Sequence, residues 1–197
     1  MLETGDRIAL HELESVTGER VPVPGDGVTH LQFRRFAGCP ICNLHLRSVA
    51  RRHDEIVAAG VREIAVFHSP AGELRPYVGE LPFPVIADPA KALYREFGVE
   101  SAPRALLDPR AWPAIAGGIA ADLVRVLRRR QPTPPAAQGG RLGLPGDFLI
   151  GPDGRLLAVK YGVHADDQWT VDEILTRAAV RPPARPARTP PEGAAPS

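Results

Sequence analysis

The order in which residue patterns occur confines the middle of this chain to one supersecondary unit. Val28-Thr29-His30-Leu31-Gln32-Phe33 has the apolar and β-branched content of a short strand, and Gly38 interrupts the chain shortly after it. Cys39-Pro40-Ile41-Cys42 comes next, with proline where a helix tolerates the loss of an N–H, so Cys39 is placed at a helix N-cap. Residues 43–59 carry apolar side chains at Leu44, Leu46, Val49, Ala50, Ile56 and Val57, a helical spacing stopped by Gly60. Residues 61–68 read as a mostly buried strand. Strand, C-x-x-C, helix and strand make a βαβ unit. Its cysteines stand at the carboxyl end of the first strand, where chemistry in open α/β sheets gathers.

The alternation continues downstream. Ser69-Pro70 has the form of an N-cap and first-turn proline opening a short helix to about Val78. Residues 83–87 form a strand, and Asp88-Pro89 caps a helix that ends at Phe97-Gly98. Residues 115–130 have a helical pattern ending in Arg128-Arg129-Arg130, a solvated basic run that complements the helix dipole. A connector at 132–140 precedes two strands, 146–150 and 155–161, joined as a hairpin by Gly151-Pro152-Asp153-Gly154. Thr170-Val171-Asp172-Glu173 is a capping box opening a last helix to about Ala179. Residues 181–197, rich in Pro, Arg and Ala, lack the apolar surface to order themselves, so one domain over 1–180 and a disordered tail are expected.

The chain of 197 residues holds 2 cysteines. At an N-cap the Cys39 thiolate meets unpaired backbone N–H groups and the positive end of the helix dipole, which brings a thiol from about 8.5 into the range of roughly 3.5–7.5. Cys42, one turn further in, is expected to keep the higher pKa, giving one attacking thiolate and one resolving thiol. Two other readings stay open. A zinc site needs about four ligands, and His45, His53 and His68 are the nitrogen donors on hand to complete one. Alternatively, the pair serves as small core hydrophobes. His45 faces solvent in the simplest reading and tunes Cys42 in the other; Asp147 either approaches the sulfurs or has a turn or strand-start role.

Charge narrows the partners. With 24 basic and 23 acidic residues, a net +1 leaves no field to attract nucleic acid or anionic lipid, so neither nucleic acid nor a membrane is expected. No charged n-region leads into an apolar stretch, and no run approaches the roughly 18 apolar residues of a span. A soluble, cytoplasmic protein is the expectation, in a compartment where a cysteine pair is more often catalytic than structural. No cofactor or metal is implied.

Three segments in order, FRRFAGCPICNLHL, LPFPVIADPAKALYREFGV and LPGDFLIGPDGRLLAVKYGVHADDQWTVDEIL, resemble the peroxiredoxin-like AhpC/TSA group of the thioredoxin superfamily and extend over most of residues 32–175. The resemblance implies an α/β, thioredoxin-like fold: a central mixed β-sheet flanked by helices, with a peroxiredoxin-style N-terminal extension and a helical insert over about 102–140. It implies an antioxidant-type oxidoreductase in which Cys39 attacks a hydroperoxide and Cys42 resolves the product. An external thiol, thioredoxin-like or of low molecular weight, then restores the dithiol. A homodimer is left open. Leu144, Pro145, Gly38 and Pro40 are the residues implied for substrate contact.

The chain also departs from that pattern. Peroxiredoxins proper place Thr or Ser three residues before the reactive cysteine, Pro four residues before that, and Arg in a later Arg-x-x-Phe strand; here Phe36, Gln32 and Pro145 hold those positions. Arg34, Arg35 or backbone donors at the helix start are what remains to activate a peroxide. In thioredoxins a cis proline faces the C-x-x-C, and Leu144-Pro145-Gly146-Asp147 resembles that element, so a cis Leu144–Pro145 bond is expected. The position of thioredoxin's buried acid holds Phe33. These features keep two alternatives alive, a thiol-disulfide oxidoreductase acting on a disulfide substrate and a non-catalytic interaction or zinc-binding module on the same fold.

Overall fold

The N-terminal extension forms a hairpin, with β1 (His11–Glu14) antiparallel to β2 (Arg20–Val23). Val21 and Val23 point into the core and close one face of the main sheet, a role that the sequence pattern did not assign. In the computed structural model residues 1–99, 108–129 and 142–180 are described. The connector at 132–140 and the tail at 181–197 lie outside the described residues.

The chain continues through β3 (Val28–Phe33), α1 (Pro40–Arg51), α2 (His53–Ala58), β4 (Val61–Phe67), α3 (Ala71–Val78), β5 (Val85–Ala87) and α4 (Ala92–Glu96). After a single 3-10 turn at Pro109–Ala111 come α5 (Trp112–Arg129), β6 (Gly146–Ile150), β7 (Leu156–Tyr161) and α6 (Val171–Ala179). The main sheet has the order β5-β4-β3-β6-β7. β3 runs parallel to β4, with Val28 opposite Val61 and Phe33 opposite Val66, and antiparallel to β6, with Thr29 opposite Ile150 and Phe33 opposite Gly146. The expected mixed sheet flanked by helices is therefore present, with β3 at its centre and buried along its whole length.

Because side chains alternate along a strand, the two faces of β3 differ in character. Leu31 and Phe33 enter an apolar layer with Phe97, Phe148 and Tyr94. There Phe33 meets Tyr94 at 4.9 Å, Phe97 at 5.2 Å and Phe148 at 5.5 Å between centroids, tilted or edge-on. Each such pair adds about 0.5–1.5 kcal/mol beyond its burial. His30 and Gln32 point to the other face, beneath α1, together with Arg34 just past the strand end.

Four local expectations are corrected. The helix expected over 43–59 is two helices, because Arg52 (φ −112°, ψ 21°) closes α1 with an N–H to the Val49 carbonyl, three residues back. Its guanidinium then pairs with Glu55 and with Asp172 of α6. Ser69 does not cap α3; its hydroxyl instead accepts the Ala37 N–H at 2.9 Å, tying the end of β4 to the cysteine loop, and Pro70 takes the N-cap. The strand expected over 83–87 pairs only at Val85–Ala87. Asp88 does cap α4, accepting the N–H groups of Ala92, Leu93 and Tyr94, but the helix begins only after Lys91.

Candidate active site

Local chemistry builds the cysteine turn as the spacing requires. Gly38 sits at φ +72°, a left-handed turn that glycine adopts without steric cost. The next residue, Cys39, is the N-cap of α1, with Pro40 in the first turn. The Cys39 Sγ accepts the Cys42 N–H at 3.4 Å and the Cys42 S–H at 2.8 Å, and an Arg35 Nη1 donor approaches it at 3.7 Å. The Arg35 guanidinium lies 5.3 Å from the Phe36 ring centroid, a cation–π stack that holds it beside the sulfur. Both thiols are free and closed off from solvent, Cys39 at 0% and Cys42 at 1% exposure.

The expected asymmetry between the two thiols is reversed. Burial, the hydrogen bond with Cys42 and the Cys42 charge push Cys39 well above the ordinary thiol range, against the pull of Arg35. Burial also acts to raise Cys42, but the Cys39 hydrogen bond, the Arg35 charge and backbone N–H, and the Arg34 charge outweigh it and bring Cys42 down to about 7. Burial acts on both thiols alike; counting donors at the N-cap leaves out the coupling between the sulfurs and the Arg35 N–H and Arg34 charge that act on Cys42. With the sulfurs 2.8 Å apart, one proton serves both, and the pair loses its first proton easily and its second with difficulty.

Beneath α1 lies a buried polar network that the sequence did not reveal as a unit. The His30 ring bonds Glu63 Oε2 at 2.8 Å through Nδ1 and Asp147 Oδ1 at 3.2 Å through Nε2. Arg34 Nη2 donates to the same Asp147 oxygen at 2.8 Å, Arg34 Nε donates to Gln32 Oε1 at 2.9 Å, and Gln32 Nε2 donates to Glu63 at 2.7 Å. The Trp169 N–H donates to the second Asp147 oxygen at 3.2 Å. Burial opposes ionisation of His30, but the Glu63 charge and the bonds to Asp147 and Glu63 raise it to about 9. Against its own burial, Asp147 is held well below the usual carboxylate range by Arg34 and His30. Two cations, Arg34 and His30, thus face two carboxylates, the compensation a buried charge needs.

His45 belongs to this network rather than to solvent. Its Nε2 lies 3.1 Å from Arg34 Nη2, which can only donate, so the ring nitrogen accepts and the proton sits on Nδ1. Burial, then the Arg34 charge, depress its pKa well below the ordinary histidine value, so the ring is neutral. Asp147 stands at the start of β6, as one of the expected roles has it, and is bound to Arg34, His30 and the Trp169 N–H. His53 packs on Phe83 and His68 on Tyr94. Among the described residues no group of three or more His, Cys, Asp or Glu is arranged to hold a metal ion.

Of the residues implied for substrate contact, Gly38 and Pro40 flank Cys39. Leu144 and Pro145 line a separate cavity of about 190 Å³ with Met1, Gly98, Tyr161, Gly162 and Val163. The preceding residue ties their loop to the site, since a Cβ on Gly143 would lie 3.3 Å from His68 Nε2 and 3.6 Å from Arg35 Cγ. The Leu144–Pro145 bond is trans, against expectation; among the described residues the cis peptide bond is Val23–Pro24. Trans is the ordinary preference of an X-Pro bond.

Comparison with known proteins agrees with this fold. The family model described as AhpC/TSA antioxidant enzyme matches residues 48–164. That match begins just after the cysteines. No curated protein matches the chain. Among solved structures, peroxidoxin BcpB from Mycobacterium tuberculosis superposes with a TM-score of 0.63 at 17% identity, covering 92% of this chain and 100% of that one. Peroxiredoxin 6 of Arenicola marina gives 0.66 at 16%, covering 91% and 73%. A putative thiol:disulfide interchange protein DsbE from Chlorobium tepidum gives 0.57 at 19%, covering 90% and 99%. The shared architecture is the thioredoxin fold. Among the described residues no helix is long and apolar enough to cross a membrane.

Proposed function

This chain belongs to the AhpC/TSA antioxidant enzyme family, and on that premise we propose that it is a thiol-dependent peroxidase working through the Cys39/Cys42 dithiol. The observation that carries the reading is the buried pair of free thiols 2.8 Å apart, with Arg35 at 3.7 Å and the Cys42 N–H at 3.4 Å from the Cys39 sulfur. The low first ionisation of the pair supplies one negative charge near neutral pH. Shifting the shared proton onto Cys42 leaves that charge on Cys39, where the donors converge. The Cys39 sulfur attacks the terminal oxygen of a hydroperoxide, the O–O bond breaks, and the alcohol or water leaves with a proton, giving a sulfenic acid. Cys42 then displaces the sulfenic oxygen as water and closes a disulfide. An external dithiol returns two electrons and two protons, which suits a reducing, cytoplasmic setting.

Stopped-flow oxidation of the reduced protein tests the reading. Peroxide should consume the thiols faster than it consumes free cysteine at equal thiolate fraction, and a dimedone-type probe should label Cys39 in Cys42→Ser. A rate equal to free cysteine refutes the peroxidase, and sulfenic label appearing on Cys42 in Cys39→Ser, with none on Cys39 in Cys42→Ser, reverses the two roles. Thiol-disulfide exchange is the second reading, favoured by the approach of Gly143, just before Leu144 and Pro145, to Arg35. The trans Leu144–Pro145 bond weighs against it.

A further inference from the structure

The first turn of α1 is covered by α5. Gly118 is buried there, and a Cβ on it would fall 2.8 Å from Pro40 Cβ, 2.9 Å from the Pro40 carbonyl carbon and 3.1 Å from the Ile41 N. Pro40 and Ile41 are the two residues between the cysteines. One turn back on α5, Ile115 packs against the core cluster that contains Cys39, Ile41 and Cys42. Glycine in a helix interior is unfavourable by roughly 0.8–1.0 kcal/mol relative to alanine. Gly118 has no left-handed φ to justify it, so the close approach of the two backbones is its reason. The adjacent Gly117 has nothing within 4 Å of its Cβ position.

We propose that α5, seated on Pro40 through Gly118, is a size filter over the dithiol that passes small hydroperoxides and excludes disulfides carried on macromolecules. The proposal rests on the peroxidase reading and names the substrate class of that site. A hydroperoxide offers a terminal oxygen with one small group behind it, and slips to the sulfurs by local breathing. A disulfide must be attacked along its S–S axis, which brings two chain segments within a few ångströms of the first turn of α1, the volume that α5 occupies. Such a substrate requires the helix to lift.

The two cysteines are the only maleimide targets of their kind in the chain, so the test compares N-ethylmaleimide with a 5 kDa polyethylene-glycol maleimide on the reduced full-length protein. The preference for the small reagent should far exceed that shown by glutathione. In Gly118→Leu it should fall, because overpacking placed on the seated helix alone raises the lifted population by about 5- to 150-fold. Gly118→Ala should fall between the two. Gly117→Leu should leave the preference unchanged, and far-UV circular dichroism confirms that each variant is folded. A wild-type preference equal to that of glutathione overturns the filter, as does an unchanged ratio in folded Gly118→Leu or an equal effect of Gly117→Leu. Peroxide oxidation is followed on the same samples: a dithiol that peroxide leaves reduced sinks the peroxidase reading, while the maleimide ratio still decides the filter.

Discussion

Raising the pH should unlock the buried network through His30. Its pKa rises from 6.5 to about 9 in the folded protein. At about 1.36 kcal/mol per pH unit, that is roughly 3 kcal/mol of stability. The sign comes from the direction of the shift. A group with a raised folded-state pKa contributes fully below its unfolded value, near 6.5, and loses the contribution as pH climbs through about 9. Cys42, brought down to about 7, acts oppositely over part of that window, so the measurement belongs in a Cys39→Ser/Cys42→Ser background. Urea unfolding at pH 6–9.5 is the assay. Trp169, 1% exposed with its ring 5.7 Å from His30, is the fluorescent reporter. With a urea slope of about 2 kcal/mol/M, the midpoint should drop by about 1.5 M. His30→Gln in the same background should start lower and stay flat. A midpoint in the parent that does not move, or an equal decline in His30→Gln, refutes the assignment of a charged histidine between Glu63 and Asp147.

Three further outcomes are expected. Arg35→Met removes the guanidinium 3.7 Å from Cys39 Sγ; iodoacetamide reactivity at pH 7 should fall about tenfold and recover above pH 9, as the thiolate forms without help. Phe36→Thr restores the residue type that peroxiredoxins carry three positions before their reactive cysteine, yet it should slow peroxide reduction about 2- to 30-fold. It removes the ring on which Arg35 stacks at 5.3 Å, a contact of about 0.5–2 kcal/mol, and a faster variant would refute that role. Asp88→Ala deletes the cap on three N–H groups of α4 and should cost about 1–2 kcal/mol, read as a melting point lower by about 2–8 °C.

What was legible in the sequence was decided by residues close together in the chain. Cys39 as N-cap with Pro40 behind it, the capping box at Thr170 and Glu173, and strand β3 ending at Phe33 each arise from neighbouring residues. The buried network does not. Alternation along Thr29-His30-Leu31-Gln32-Phe33-Arg34 announces a polar face, but His30 finds its partners 33 and 117 positions away, on β4 and β6. Nothing local says that this face is buried rather than wet. The thiol asymmetry was reversed for another reason: an N-cap position says nothing of how a proton is divided between two buried sulfurs in contact, with Arg34 and Arg35 acting on Cys42. The trans bond at Pro145 has a related cause, since the resemblance carried the position of a proline but not the packing that would hold it cis.

Two guanidinium groups lie at the cysteine turn of a chain that lacks the usual threonine and arginine of peroxiredoxins. In the extended segment after β3, consecutive side chains alternate, so Arg34 enters the polar layer under α1 while Arg35 turns toward Cys39. Arg34 is held by Asp147 on β6, the strand on which peroxiredoxins proper carry their arginine; Arg35 is held by Phe36, at the position of their threonine. Both guanidinium groups stand just past the strand that delivers the cysteines, and two of the departed positions support them: Phe36 stacks on Arg35 and Gln32 accepts from Arg34. Family likeness then belongs in the scaffold, in keeping with a family match that starts at Ser48. Restoring threonine at Phe36 alone removes the support of Arg35 without supplying a cation.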